Sequence, residues 1–229
     1  MNTLVLWDID LTLIDARGLG REWYRTALRA TAGLDVVRSV VFAGRTERAI
    51  SREVLAVHGL EPTDELVARL HAALVDVAER ERGMLPVQGH VLPGVLEALR
   101  ALAARDDVVQ SLVTGNLVEI ARFKLAAFGL DEHLDLGIGG YGALSEHRPD
   151  LVREAVRLAT AKHDREFRTV VIGDTPHDVD AALRHGAVAI GVATGRSGVA
   201  ELRGAGAHVV LDDLSDTTAL VAAVLGVSP

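Results

Sequence analysis

The chain has no cysteine, which removes disulfide frameworks, thiolate metal sites and a cysteine nucleophile together and makes a reducing compartment the expectation. Aromatic residues make up only 3% against 49% hydrophobic residues, so a core has to be assembled from Leu, Val, Ile and Ala. That suits a parallel sheet covered by helices. No stretch comes near the ~18 continuous apolar residues of a membrane span. The opening MNTLVLWDID has no basic segment ahead of its apolar run and reaches two carboxylates almost at once, so it does not read as a signal peptide. A soluble cytoplasmic protein is expected. Positive charge is also in short supply: the formal net charge is −8, which argues against a nucleic-acid partner, since nucleic acids are held by clustered Lys and Arg. Lysine is nearly missing, with Lys124 and Lys162 set among many arginines.

What is present is an alternation. A chain of 229 residues admits one full α/β domain and a smaller appendage. Short apolar runs rich in β-branched residues, at Thr3–Trp7, Val108–Val113, Thr169–Ile172, Ala187–Val192 and His208–Leu211, read as buried parallel strands. Helical periods at Pro93–Ala104, Asn116–Phe128, Pro149–His163, Pro176–His185, Gly198–Gly204 and Ser215–Leu225 alternate with them. The fold class is therefore α/β, a doubly wound parallel sheet whose ligand site lies beyond the carboxyl ends of its strands. After the first strand the alternation breaks into three helical patterns, Leu19–Thr31, Thr46–His58 and Asp64–Arg82, with no convincing strand. A small all-helical cap over the site, able to act as a lid, is the economical reading. Leu85–Gly94, carrying Pro86, Gly89, Pro93 and Gly94, reads as the return linker. The division is 1–14 and 89–229 for the core and 15–88 for the cap.

Three strand ends carry candidate chemistry. The first strand runs into Asp8-Ile9-Asp10-Leu11-Thr12, which by itself reads more readily as a turn than as a site. Ser111-Leu112-Val113-Thr114-Gly115-Asn116 brings a hydroxyl and the amides of a helix start to a strand end, a place for a phosphoryl group or simply for an N-cap. Val170-Val171-Ile172-Gly173-Asp174-Thr175-Pro176-His177-Asp178 offers Asp174 as a hard oxygen ligand; Asp178, in the first turn of a helix, is either a dipole-favoured cap or a support to the site.

Taken jointly and in this order, these segments resemble the haloacid dehalogenase-like hydrolase superfamily over essentially the full length, in the manner of phosphoglycolate phosphatase-like members with a helical cap. Asp8, Asp10 and Thr12 match its D-x-D-x-T motif, Thr114 its strand-then-Thr motif, and Gly173, Asp174 and Asp178 its G-D-x-x-x-D motif. His90-Val91-Leu92-Pro93-Gly94-Val95 is similar to the return into the core of helically capped members. The family's lysine departs: Lys124 and Lys162 fall inside or at the far end of helical patterns, and Arg148, ahead of Pro149, takes the expected place. Leu11 stands where glycine is commonest.

The resemblance implies a Mg²⁺-dependent phosphatase acting on a small phosphorylated metabolite through an aspartyl phosphate. Asp8 would be the nucleophile and Asp10 the general acid and base. Thr114, Gly115, Asn116 and Arg148 would bind phosphate, and Mg²⁺ would be held by Asp8, the Asp10 carbonyl and Asp174, with Asp178 and Thr12 behind them. With four carboxylates facing a phosphate dianion and only Arg148 opposing them, a cation is needed in any case. Arg45, in Gly44-Arg45-Thr46-Glu47, is the candidate cap contact to substrate and equally a solvated arginine; His147 and His177 stand at the rim without an assigned role. Asp10 disfavours carbon–halogen hydrolysis, and the cap has no lysine for phosphonate chemistry. A phosphomutase, or a silent phosphate-binding or regulatory module, stays open as an alternative.

Overall fold

The uncharged run Thr3–Trp7 forms the first strand, β1, and every residue in it is buried because both faces of the sheet are covered. The computed structural model describes residues 2–38 and 40–226. After β1 come β2 (Ile14–Asp15) and a helical insertion, α1 (Leu19–Ala32), α2 (Glu47–Val57), α3 (Asp64–Glu81) and α4 (Leu85–Gln88). The chain returns through β3 (His90–Val91), antiparallel to β2. It then alternates through α5 (Val95–Ala103), β4 (Val108–Thr114), α6 (Val118–Ala126), β5 (Gly140–Tyr141), α7 (Arg148–His163), β6 (Arg168–Gly173), α8 (Pro176–Leu183), β7 (Val188–Val192), α9 (Val199–Gly204), β8 (Val209–Leu211) and α10 (Thr217–Leu225). No helix among the described residues is long and apolar enough to cross a membrane.

The parallel sheet has six strands in the order β5-β4-β1-β6-β7-β8. In β1, Val5 and Trp7 pack toward α5, α6 and α10, while Leu4 and Leu6 pack toward α7, α8 and α9, so alternate residues supply two core layers. Trp7 pairs with Leu112 of β4 on one side and Ile172 of β6 on the other. The residues that follow these strands therefore emerge along one edge, where the connections of β1 diverge and a crevice opens.

The insertion has a hydrophobic cluster of its own, built on Trp23, Leu28, Ile50, Leu70 and Leu74, which Leu117, just ahead of α6, and Ile120 of α6 join. The expected return linker is more ordered than its prolines and glycines suggested. Pro86 sits at the start of α4, where its missing N–H costs nothing, and His90–Val91 pairs with β2. Leu11 adopts φ 63°, the left-handed region that glycine enters freely and leucine only under strain, which is why glycine suits this position. Its N–H donates to Ile14 O at 2.8 Å and its carbonyl accepts the Thr194 hydroxyl at 2.6 Å, so the turn is pinned from both sides.

Candidate active site

Asp8 follows β1 directly, and its N–H still donates to Ile172 O of β6 at 2.9 Å. Its side chain is buried against Arg148, the first residue of α7. Arg148 Nη2 donates to Asp8 Oδ1 at 2.6 Å and to Val113 O at 3.1 Å, and stands 2.6 Å from Asp178 Oδ1. Two hydrogens thus meet three oxygens, and Asp178 Oδ1 has the charge beside it without a hydrogen bond. The other Asp178 oxygen accepts the Thr175 N–H at 3.1 Å and the Thr175 hydroxyl at 2.7 Å, capping α8. One carboxylate therefore both caps a helix and faces Arg148.

Asp174 follows β6, with Thr12 donating to its Oδ1 at 3.4 Å. Gly195 backs it so closely that a Cβ there would come within 1.8 Å of Asp174 Oδ2. Asp8, Asp174 and Asp178 each bring an oxygen within 4.8 Å of the others. Burial raises the proton affinity of Asp8 and Asp174 above the usual carboxylate range; their neighbouring carboxylates add to this and Arg148 opposes it. Buried hard oxygens short of positive charge are what a divalent cation such as Mg²⁺ requires, so the donor set fits one.

Asp10 is held differently. Lys124 Nζ lies 2.6 Å from both of its carboxylate oxygens and 2.7 Å from Asn116 Oδ1, and Asn116 Nδ2 donates to Asp10 Oδ2 at 2.8 Å. Burial alone would raise Asp10, but Lys124 and then Asn116 more than offset it, and its carboxyl is held below the ordinary value. This corrects the expectation that Lys124 is misplaced and that Arg148 alone opposes the acidic groups. Lys124 lies on the buried face of α6 with Ile120, Ala121 and Leu125, and that face turns toward the strand ends. The spacing of Lys124 four residues after Ile120 is the signal that could have found it.

The Thr114-Gly115-Asn116 turn also differs in detail. Helix α6 begins only at Val118, so neither Thr114 nor Asn116 is its cap. Thr114 Oγ1 accepts from Asn116 Nδ2 at 2.8 Å, which steers the amide side chain onto Asp10. The backbone here touches the insertion: Gly115 O accepts the Glu47 N–H at 2.8 Å and Gly142 O the Arg48 N–H at 2.9 Å. A Cβ on Gly142 would lie 1.7 Å from Gly115 O, so the approach requires glycine.

A cavity of about 490 Å³ spans the floor formed by Asp8, Asp10, Lys124, Arg148 and Asp174 and the overlying insertion. Arg45 lines it, but its guanidinium pairs with Glu53 and donates to Val41 O at 3.2 Å. His177 packs beneath Gly44, and His147 precedes α7 without capping it. Glu47 and Tyr24, from α2 and α1, are joined by a short hydrogen bond in the cavity wall, with Ser51 3.0 Å from the Tyr24 hydroxyl. Burial pushes Glu47 up to about 7, against the Tyr24 hydrogen bond and Lys124.

The model of the haloacid dehalogenase-like hydrolases matches residues 5–183. Among curated proteins, the chain is 27% identical over 241 residues to the probable phosphatase IndB of Dickeya dadantii, covering 100% of this chain and 97% of that protein. Among solved structures it is similar to a hydrolase from Pseudomonas syringae, at 24% identity and a TM-score of 0.68, covering 96% of this chain and 98% of the other. It is also similar to CbbY from Rhodobacter sphaeroides in complex with phosphate, at 20% identity and a TM-score of 0.70, covering 94% and 96%. At these identities the structural likeness speaks for the fold.

Proposed function

The chain belongs to the haloacid dehalogenase-like hydrolase family, and from that premise we propose that it is a Mg²⁺-dependent phosphatase of a small phosphorylated metabolite, working through an aspartyl phosphate on Asp8. The observation that carries this reading is the buried set Asp8, Asp174 and Asp178 at the carboxyl edge of the sheet, with Asp8 and Asp178 against Arg148 and Asp10 two residues beyond the nucleophile. The relative named as a phosphatase supports the same reaction. The division into a core of residues 1–14 and 89–229 and a cap of residues 15–88 belongs to the same reading, and the separate hydrophobic cluster of the insertion supports it.

In the first step an Asp8 carboxylate oxygen bonds to phosphorus as the ester P–O bond breaks, and the departing oxygen takes a proton from Asp10. In the second, Asp10, now a carboxylate, takes a proton from water whose oxygen attacks phosphorus; the bond to Asp8 breaks and orthophosphate leaves. Lys124 keeps Asp10 ionised in the unloaded site. A phosphate dianion arriving beside Asp10 opposes Lys124 and restores the proton affinity that a leaving-group acid needs. Thr114, the Gly115 and Asn116 amides and Arg148 would hold the phosphoryl oxygens, with Thr12 and Asp178 supporting Asp174 and Arg148. Mg²⁺ would be held by Asp8, the Asp10 carbonyl and Asp174; when bound it offsets the carboxylates and stabilises charge on the transferring group.

The test is orthophosphate release from a panel of phosphomonoesters by wild type and Asp8→Asn, each with Mg²⁺ and with a chelator. Release is expected from the wild type with Mg²⁺ alone. Turnover that survives Asp8→Asn would remove the nucleophile from this scheme.

A further inference from the structure

Beyond the reaction, the cavity speaks to its substrate. We propose that it selects phosphate monoesters whose leaving group has a ring-sized apolar body bearing a hydrogen-bond donor for Glu47, and that it rejects leaving groups ending in a carboxylate. This rests on the phosphatase reading above.

At about 490 Å³ the cavity falls in the range that encloses ring-bearing ligands, and a phosphoryl group and metal would use only its floor. Above that floor the wall is apolar, formed by Trp23, Phe42, Ile50, Leu74 and Ile120. Its polar side chains include Tyr24, Arg45 and Glu47, with Asp15 and Arg17 paired to each other, and of these Glu47 has an oxygen to spare. Its Oε2 accepts from Tyr24, whose hydroxyl is already engaged with Ser51, while Oε1 takes no hydrogen bond among the described residues. No cation neutralises it at close range, because Arg45 is paired with Glu53 and Lys124 with Asp10. Once Glu47 is ionised, an O–H or N–H on the leaving group supplies the partner it lacks, whereas a carboxylate would set acceptor against acceptor and charge against like charge. Arg17, Arg21 and Arg196 also line the cavity, but all three are exposed, so solvent and salt screen them, and Arg17 is already paired with Asp15.

The experiment compares kcat/KM at pH 8.5, where Glu47 is ionised, for 2-phenylethyl phosphate, its 3- and 4-hydroxy and 3- and 4-carboxy derivatives, and phosphoglycolate, all with Mg²⁺. For the wild type, one hydroxy ester should exceed the parent by about tenfold, with the carboxy esters and phosphoglycolate at least about tenfold below it. In Glu47→Ala the hydroxyl preference should fall to within about twofold, and Glu47→Gln, which keeps an acceptor oxygen, should retain part of it. A wild type that favours phosphoglycolate or a carboxy ester, or a hydroxyl preference that survives Glu47→Ala, overturns the proposal while leaving the phosphatase reading intact. A wild type inert toward every ester overturns both.

Discussion

Replacing Arg148 by methionine removes the cation that separates two buried carboxylates while roughly keeping side-chain volume, so the loss is electrostatic rather than a cavity. The side chains of Arg148, Asp8 and Asp178 are only 5%, 8% and 2% exposed, and both ion contacts are 2.6 Å. Breaking a buried pair from one side costs about 3–5 kcal/mol, and here one removal strands two partners, so about 4 kcal/mol is expected in metal-free protein at pH 8. With a urea slope of about 2–3 kcal/mol per molar, the midpoint should fall by roughly 1.3–2 M. Saturating Mg²⁺ should return about 2–3 kcal/mol, since it replaces part of the missing charge. Arg148→Lys sharpens the test. All three acceptors cluster on one guanidinium nitrogen with two hydrogens, whereas an ammonium has three, so the shorter lysine should recover more than half of the loss. A methionine variant within about 1 kcal/mol of wild type in chelator would refute the assignment of Arg148 as the charge partner of Asp8.

Lys124→Met should raise the proton affinity of Asp10 and so slow the second step of the proposed scheme, in which Asp10 acts as a carboxylate, so turnover of an alkyl phosphate and of p-nitrophenyl phosphate should both fall by about 10²–10³ near neutral pH and recover in part as pH rises; a loss that does not change with pH would assign Lys124 a purely structural role. Glu47 has a folded-state pKa of about 7 against 4.5 for the free side chain, so its contribution to stability is whole below about 4.5 and lost as pH rises through about 7. The side chain is only half-buried and keeps some hydration, so wild type should lose about 1–2 kcal/mol relative to Glu47→Gln between pH 5 and pH 8.5 in urea titrations. Identical pH slopes for the two proteins would contradict the burial assigned to this group.

Much of the core was legible because a buried parallel strand leaves a plain mark. Thr3–Trp7 is an unbroken apolar run, and the acidic residue after it has to emerge where ligands bind. Arg148 could be placed by its position ahead of Pro149 at a helix start. Strands of two residues, such as Gly140–Tyr141 and His90–Val91, carry no periodicity to detect. Lys124 was missed for a different reason: a charge in mid-helix reads as solvated unless the phase of the apolar face is followed through Ile120, Ala121 and Leu125. The pairing of Tyr24 with Glu47 depends on how α1 and α2 pack, which no local pattern encodes. Leu11 was visible as a departure, but only its φ of 63° says why the position favours glycine.

The first amides of α2 are satisfied by Gly115 O and Gly142 O, not by residues of the cap itself. If the insertion moves as the proposed lid, swinging it away would strip two N–H groups from their carbonyls and hand them to water, an exchange worth about 1 kcal/mol for each bond. The threshold for admitting substrate is thus written partly into main-chain atoms that every amino acid shares. Side chains around the chamber are free to drift toward new metabolites while this part of the toll for opening stays the same, so a lineage can change what it dephosphorylates without rebuilding how its gate moves.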